Sequence, residues 1–202
     1  MHDLTSEKID ILREFGNIGA GNATTALSVM LNSNLRMEMP VVKILDFNEI
    51  PNLIGGPDAN VVAVLSHFKG EVNGMTLFVL ALNEAKNLAG TMLSKTYPDD
   101  FIDFDEMDKS VLIEVGNILM GAYVSSIGTL TNKQIWIEPP GIAVDMAASV
   151  LSLPIIELGK IGDQALIIDS KFLDEDKPID GFLMFVTDDE SFNHIFEALG
   201  IE

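Results

Sequence analysis

The chain has 202 residues, 48% of them apolar, so it is long enough to bury a sizeable core and too apolar to be disordered. A formal net charge of −19 sets it against phosphate backbones and anionic membrane surfaces. That argues against nucleic-acid or membrane binding and favours a basic or cation-bearing protein partner, or simply high solubility. With no cysteine, disulfides, thiolate nucleophiles and Cys-ligated zinc are excluded.

The first residues, Met1-His2-Asp3-Leu4-Thr5-Ser6-Glu7, are too polar for a signal peptide. The longest clear apolar run, Met75 to Leu82, is too short to span a membrane, so a cytoplasmic location is expected. Residues 6–32 read as a helix with Thr5 or Ser6 as N-cap. β-rich stretches follow at 35–47, 60–68 and 71–82, the last two joined by a turn around Lys69-Gly70. A helix over 83–96 stops before Tyr97-Pro98, and Tyr97-Pro98-Asp99-Asp100 reads as a connector.

The second half repeats this order. A helix over 105–131 is opened by the acidic Asp103-Phe104-Asp105-Glu106. Strands are predicted at 134–146, 150–158, 164–171 and 180–187, with 173–180 a polar loop, and a last helix at 189–199 ends at Gly200. Gly181 resembles Gly74 in its setting, and Pro40 and Pro140 fall at one offset beside the first strand of each half. The expected fold is α+β: one domain over 1–202 with pseudo-two-fold symmetry, built of repeats at about 1–98 and 101–202. Long helices pack on a continuous, mostly antiparallel sheet, because neither half alone buries much core.

The repeat carries polar residues in register. Glu14-Phe15-Gly16-Asn17-Ile18-Gly19-Ala20-Gly21 recurs as Glu114-Val115-Gly116-Asn117-Ile118-Leu119-Met120-Gly121. At 100° per residue, Asp10, Glu14, Asn17, Gly21, Thr24 and Ser28 share one stripe, opposite Ile9, Leu12, Phe15, Ala23, Ala26, Leu27 and Met30. The second helix repeats the polar stripe as Ser110, Glu114, Asn117, Gly121 and Gly128. Gly21 and Gly121 leave a flat spot beside each Asn where another backbone can approach, whereas Gly16 and Gly116 turn toward helix-to-sheet packing. Mid-helix Gly costs about 1 kcal/mol against Ala, so an exposed helix needing only solubility would not choose it. Glycine also packs helices, and Glu and Asn can be solvated bystanders, but two copies in register weigh against that reading.

Asn is no general base. Its amide carries donors and an acceptor, which suits it to hold a water or a phosphoryl oxygen. Phosphoryl transfer needs positioning more than proton abstraction, and Glu one turn away can grip a cation such as a lysine beside a phosphate. The pair therefore suits in-line hydrolysis on a protein partner presenting an acyl phosphate.

The arrangement resembles the CheC family of chemotaxis phosphatases, whose motif is Asp or Ser, three residues, Glu, two residues, Asn, then Pro about 22 residues on. It stands here as Asp10, Glu14, Asn17 and Pro40, and again as Ser110, Glu114, Asn117 with Pro139 and Pro140. The resemblance covers the whole chain. It implies dephosphorylation of the phospho-aspartate receiver CheY, with Asn17 and Asn117 aligning water, Glu14 and Glu114 pairing with a receiver lysine, and Asp10 and Ser110 supporting from one turn earlier. It further implies no metal or cofactor in this chain, the Mg²⁺ belonging to the receiver, and binding of the deamidase CheD through Asp145. The rival readings are a non-catalytic module regulating CheD or the flagellar switch, and a small-molecule phosphatase. The latter would want a basic pocket that 12 unclustered Lys and Arg do not supply.

Other patterns are set aside. Gly19-Ala20-Gly21 lies inside a helix rather than after a strand, which rules out a dinucleotide loop. Residues 103–114 resemble a calcium loop, but Met107 and Asp108 stand at its fifth and sixth positions, the sixth requiring Gly. His2, His67 and His194 lack metal-ligand spacing, and Trp136 reads as core or sheet-face packing.

Overall fold

The computed structural model describes residues 6–31, 36–38, 40–158, 164–174, 177–187 and 189–198. Helix α1 (Ser6–Leu31) leads to strands β1 (Arg36–Met37) and β2 (Val41–Asp46), a 3₁₀ turn at Ile50–Ile54, and the hairpin β3 (Asn60–Gly70) and β4 (Gly74–Ala81). Helix α2 (Leu82–Leu93) closes the first half. The second half runs α3 (Glu106–Thr131), β5 (Ile135–Ile137), β6 (Gly141–Met146), α4 (Ala147–Leu158), β7 (Gln164–Asp174), β8 (Lys177–Thr187) and α5 (Asp189–Ala198).

Among the described residues eight strands form one sheet in the order β1-β7-β8-β4-β3-β5, with β2 also on β7 and β6 also on β3, and every pairing there is antiparallel. The two halves are interleaved: β2 of the first half pairs β7 of the second, and β6 of the second pairs β3 of the first. The halves meet at β4 and β8. There Gly74 pairs Thr187 and Gly181 pairs Leu80, so the ladder reads the same from either end about Leu77–Met184. Gly74 and Gly181 thus occupy equivalent places. A Cβ on Gly181 would stand 2.6 Å from the Phe78 ring, and one on Gly74 would strike the Val186 carbonyl and crowd Phe68.

Each sheet face buries its own core. On one face Val62, Val64, Phe68, Phe78, Leu80, Ile168, Leu183 and Phe185 pack under α1, α2 and α3. On the other, Val61, Ala63, Met75, Leu77, Ile167, Met184 and Val186 pack under the 3₁₀ turn and α4. Among the described residues α3 alone is long and apolar enough to cross a membrane by length and composition, and half of its most apolar stretch is buried, as befits a core helix.

Four elements differ from expectation. Residues 150–158 are helix, not strand: Ala147, Val150, Leu151 and Pro154 are buried at helical spacing, and that burial outweighs the local β-branched composition. The polar 173–180 segment is no loop. β7 and β8 continue pairing through Lys171–Asp180, Leu173–Pro178 and Asp174–Lys177, since backbone pairing does not require apolar side chains. The predicted strand at 134–146 is split at Glu138-Pro139-Pro140, where proline withholds an N–H from the ladder. The helix expected to reach residue 96 stops at Leu93, because Ser94 turns left-handed (φ 53°) and both its N–H and that of Lys95 close on the Gly90 carbonyl. Thr5 and Gly200, expected at helix ends, lie outside the described residues.

Candidate functional site

Helix α1 buries Leu12, Phe15, Ala23 and Leu27, with Met30 partly buried; Ala26, expected on that face, lies at its margin and is exposed, while the side chain of Ile9 lies outside the described residues. Two contacts fix the rotation of the helix. Gly16 sits over β2, where a Cβ would stand 2.9 Å from Val42 Cγ2 and 3.4 Å from Pro40 Cγ. Gly19 abuts α3, where a Cβ would collide with the Tyr123 ring, and Phe15 meets the same ring edge-on at 5.6 Å. Gly116 plays the part of Gly16 on α3, with Val64 of β3 at 2.7 Å from its virtual Cβ. Both glycines therefore serve helix-to-sheet packing, as expected.

With those faces turned inward, the polar stripe turns outward. Asp10, Glu14, Asn17 and Gly21 are exposed on α1; on α3, Ser110 and Glu114 are exposed and Asn117 and Gly121 half-buried. Nothing lies within 4 Å of a Cβ placed on Gly21 or Gly121, so each Asn has an open flat surface one turn along. The side chains of Glu14, Asn17, Glu114 and Asn117 take no part in the hydrogen bonds or ion pairs among the described residues. They stand available to something outside the chain.

The two flanking residues behave differently from each other. Asp10 accepts from Arg13 Nη1 at 3.3 Å, and both side chains are exposed. Sequence reasoning did not single out Arg13, although its i, i+3 spacing from Asp10 carries the signal. Ser110 donates to the Glu106 carbonyl at 2.7 Å. Among the described residues neither side chain hydrogen-bonds to the Glu–Asn pair on its own helix. Asp145 stands on β6, a strand that among the described residues is hydrogen-bonded on one side only, to β3; its exposed carboxylate accepts from the Met146 N–H at 2.7 Å. Trp136 lies on β5 opposite Lys69 but is 57% exposed, so it is not the packed residue expected.

The start of α3 is anchored by a network the sequence reading passed over. Asp105 caps the helix, accepting from the N–H groups of Met107 and Asp108, while Asp108 returns a bond to the Asp105 N–H at 3.0 Å, a capping box. Asp108, almost fully buried, also accepts from Lys95 Nζ at 2.8 Å and from the Tyr97 hydroxyl at 2.6 Å. Lys86 Nζ ties down the same connector through the Pro98 and Asp99 carbonyls at 3.1 and 2.6 Å. Burial alone would raise the Asp108 carboxyl, but the bonds from Lys95 and Tyr97 outweigh it and hold it below the usual carboxylate range. Burial and the bond to Asp108 push Tyr97 up to about 12; the same carboxylate, with Asp105, raises Lys95.

A stability prediction follows from the signs. The depressed Asp108 carboxyl contributes stability above its unfolded value near ~4, lost as pH falls through the lower folded value. The raised Tyr97 and Lys95 contribute below their unfolded values near ~10, a contribution lost as pH rises past them. Asp108→Ala is expected to cost about 3 kcal/mol at neutral pH, since it removes three bonds to a buried carboxylate. In Asp108→Asn the Tyr97 absorbance titration should move down from about 12, while burial still holds it above the free-tyrosine value. An unchanged titration would show that the carboxylate does not govern Tyr97.

Among the described residues no group of three or more His, Asp or Glu is placed to hold a metal. The CheC-like family model matches residues 7–44 and 107–144, the two stretches that carry the Glu–Asn stripes. The chain is 33% identical over 202 residues to the CheY-P phosphatase CheC of Bacillus subtilis (strain 168), covering 98% of this chain and 96% of that one. Its fold matches the crystal structure of Thermotoga maritima FliY with a TM-score of 0.74 at 21% identity, over 98% of both chains. It also matches the CheX–CheY–BeF₃–Mg²⁺ complex from Borrelia burgdorferi with a TM-score of 0.55 at 20% identity, over 87% of this chain and 99% of that one. A pseudo-two-fold fold, a Glu–Asn stripe in each half and a full-length relative together place the chain in the CheC-like family.

Proposed function

We propose that the chain is a protein phosphatase acting on the aspartyl phosphate of a CheY-type receiver, the activity its Bacillus subtilis relative is named for. The observation that carries the reading is the pair of outward stripes, each with a Glu and an Asn that have no partner among the described residues, beside an open glycine. Asn17 or Asn117 enters the receiver's site and holds a water in line with the phosphorus. The water oxygen bonds to phosphorus as the aspartyl oxygen leaves, giving inorganic phosphate and a free carboxylate. No base is required of this chain, because in a loose transition state the water gives up its proton late, to a phosphoryl oxygen or to solvent. Glu14 or Glu114 pairs with a lysine of the receiver and fixes the docking register. The Mg²⁺ that neutralises the phosphoryl oxygens is the receiver's own in this reading. Asp10 with Arg13, and Ser110, border the docked surface and tune it.

Mixing the protein with a phosphorylated receiver should accelerate phosphate release over the receiver alone, with turnover beyond one equivalent. Release at the receiver's own rate would overturn the reading. Asp145, on the open edge of β6 and away from both stripes, is the contact assigned to a CheD-type deamidase. Asp145→Lys should abolish co-elution with that partner and leave phosphate release unchanged.

A further inference from the structure

We infer that the two sites face away from each other across the α1–α3 pair and hold two receivers at once. The inference rests on the function proposed above. Helix rotation carries it. Gly19, which abuts Tyr123 of α3, follows Asn17 by two residues, about 200° around the helix. Phe15, two residues before Asn17, also touches Tyr123. Asn17 therefore points almost directly away from α3, and Gly16 turns the sheet-facing side of α1 about 100° from it.

The same holds on α3 by symmetry. The β4–β8 ladder relates the halves by a two-fold about Leu77–Met184, and β2 on β7 repeats β6 on β3. The contact of Gly19 with Tyr123 then implies one of Ala23 with Leu119, and both of these side chains are fully buried. α1 and α3 thus run antiparallel with Gly21 and Gly121 level at the axis. Asn117 stands about 200° from Leu119, facing away from α1.

Scale decides the outcome. Asn17 lies level with Ser125, about 12 Å along α3 from Asn117, and packed helices add 8–10 Å between axes plus the side chains, so the amides stand about 20 Å apart. A receiver of about 120 residues has a radius of gyration near 14 Å and a diameter of roughly 35 Å. Two such bodies docked on one flat face would overlap. Docked on stripes pointing in opposite directions, they clear each other.

The test is the stoichiometry with a receiver held in its activated form by Mg²⁺ and beryllofluoride, measured by calorimetry and light scattering on the full chain. Two receivers per chain are expected, falling to one in Glu14→Lys or Glu114→Lys and to none in the double variant. In parallel, the maximal rates of the Asn17→Ala and Asn117→Ala variants should sum to that of the parent. Saturation at one receiver with phosphate release intact overturns this inference and leaves the function standing. No binding together with no accelerated release overturns both.

Discussion

Replacing Asn17 and Asn117 together by alanine is expected to lower the maximal rate of phosphate release from the receiver by about 10²-fold or more. That is the usual loss when a positioned donor at a reacting centre is removed. Each single variant should keep the rate of its other site. The fold should not respond, because Asn17 is exposed, Asn117 half-buried, and neither side chain hydrogen-bonds among the described residues. Exposed substitutions of this kind usually shift stability by no more than about 0.5 kcal/mol. Asn17→Asp/Asn117→Asp should be as inactive as the alanine pair. A carboxylate offers no donor to the water's oxygen or the phosphoryl oxygens and repels the anion it must approach. Charge reversal at Glu14 and Glu114 should instead raise KM, since the receiver's lysine is engaged before and during the reaction alike. A double alanine variant with full activity would remove the amide from the mechanism; a melted one would show that the stripe serves the fold.

The parts of this fold legible in sequence were those governed by local periodicity. The two 26-residue helices, the β3–β4 hairpin and the polar stripe each repeat at 3.6 or 2 residues, and the structure places them within a few residues of the reading. What was not legible depends on partners remote in sequence. That β2 joins β7 and β6 joins β3 follows from how the halves interleave, and no spacing within either half encodes it. Residues 150–158 read as strand because Val and Ile dominate locally; the sheet face beneath, with Ala63, Met75 and Val79 to cover, selects the helix. The Asp105–Asp108 capping box carried a sequence signal, Asp at N-cap and Asp three residues on. The bonds from Lys95 and Tyr97 that make Asp108 a buried carboxylate carried none. For the site the division is similar. Glu, Asn and Gly were found by repetition, while the pairing of Asp10 with Arg13 and the diversion of Ser110 to the Glu106 carbonyl appear only with side chains in place.

The glycines separate packing from docking, and the two groups should respond to substitution with opposite sign. Gly19→Val puts a branched side chain into the Tyr123 ring, itself fully buried and packed on Phe15 and Phe185, so neither partner can yield without disturbing the core. Overpacking of this kind should destabilise by about 3 kcal/mol or more. Gly21 and Gly121 have open space around them. There Gly21→Leu/Gly121→Leu removes two mid-helix glycines and should stabilise the chain by about 1–2 kcal/mol in total, a rise of several degrees in Tm for a chain of this length. The same leucines fill the flat surface beside each Asn against which the receiver must seat, so kcat/KM for the phosphorylated receiver should fall at least tenfold while the melting curve moves up. A variant both more stable and fully active would show that the flat spots are not docked against. Both glycines cost helix stability and return no packing contact, which is what a surface left flat for another molecule requires.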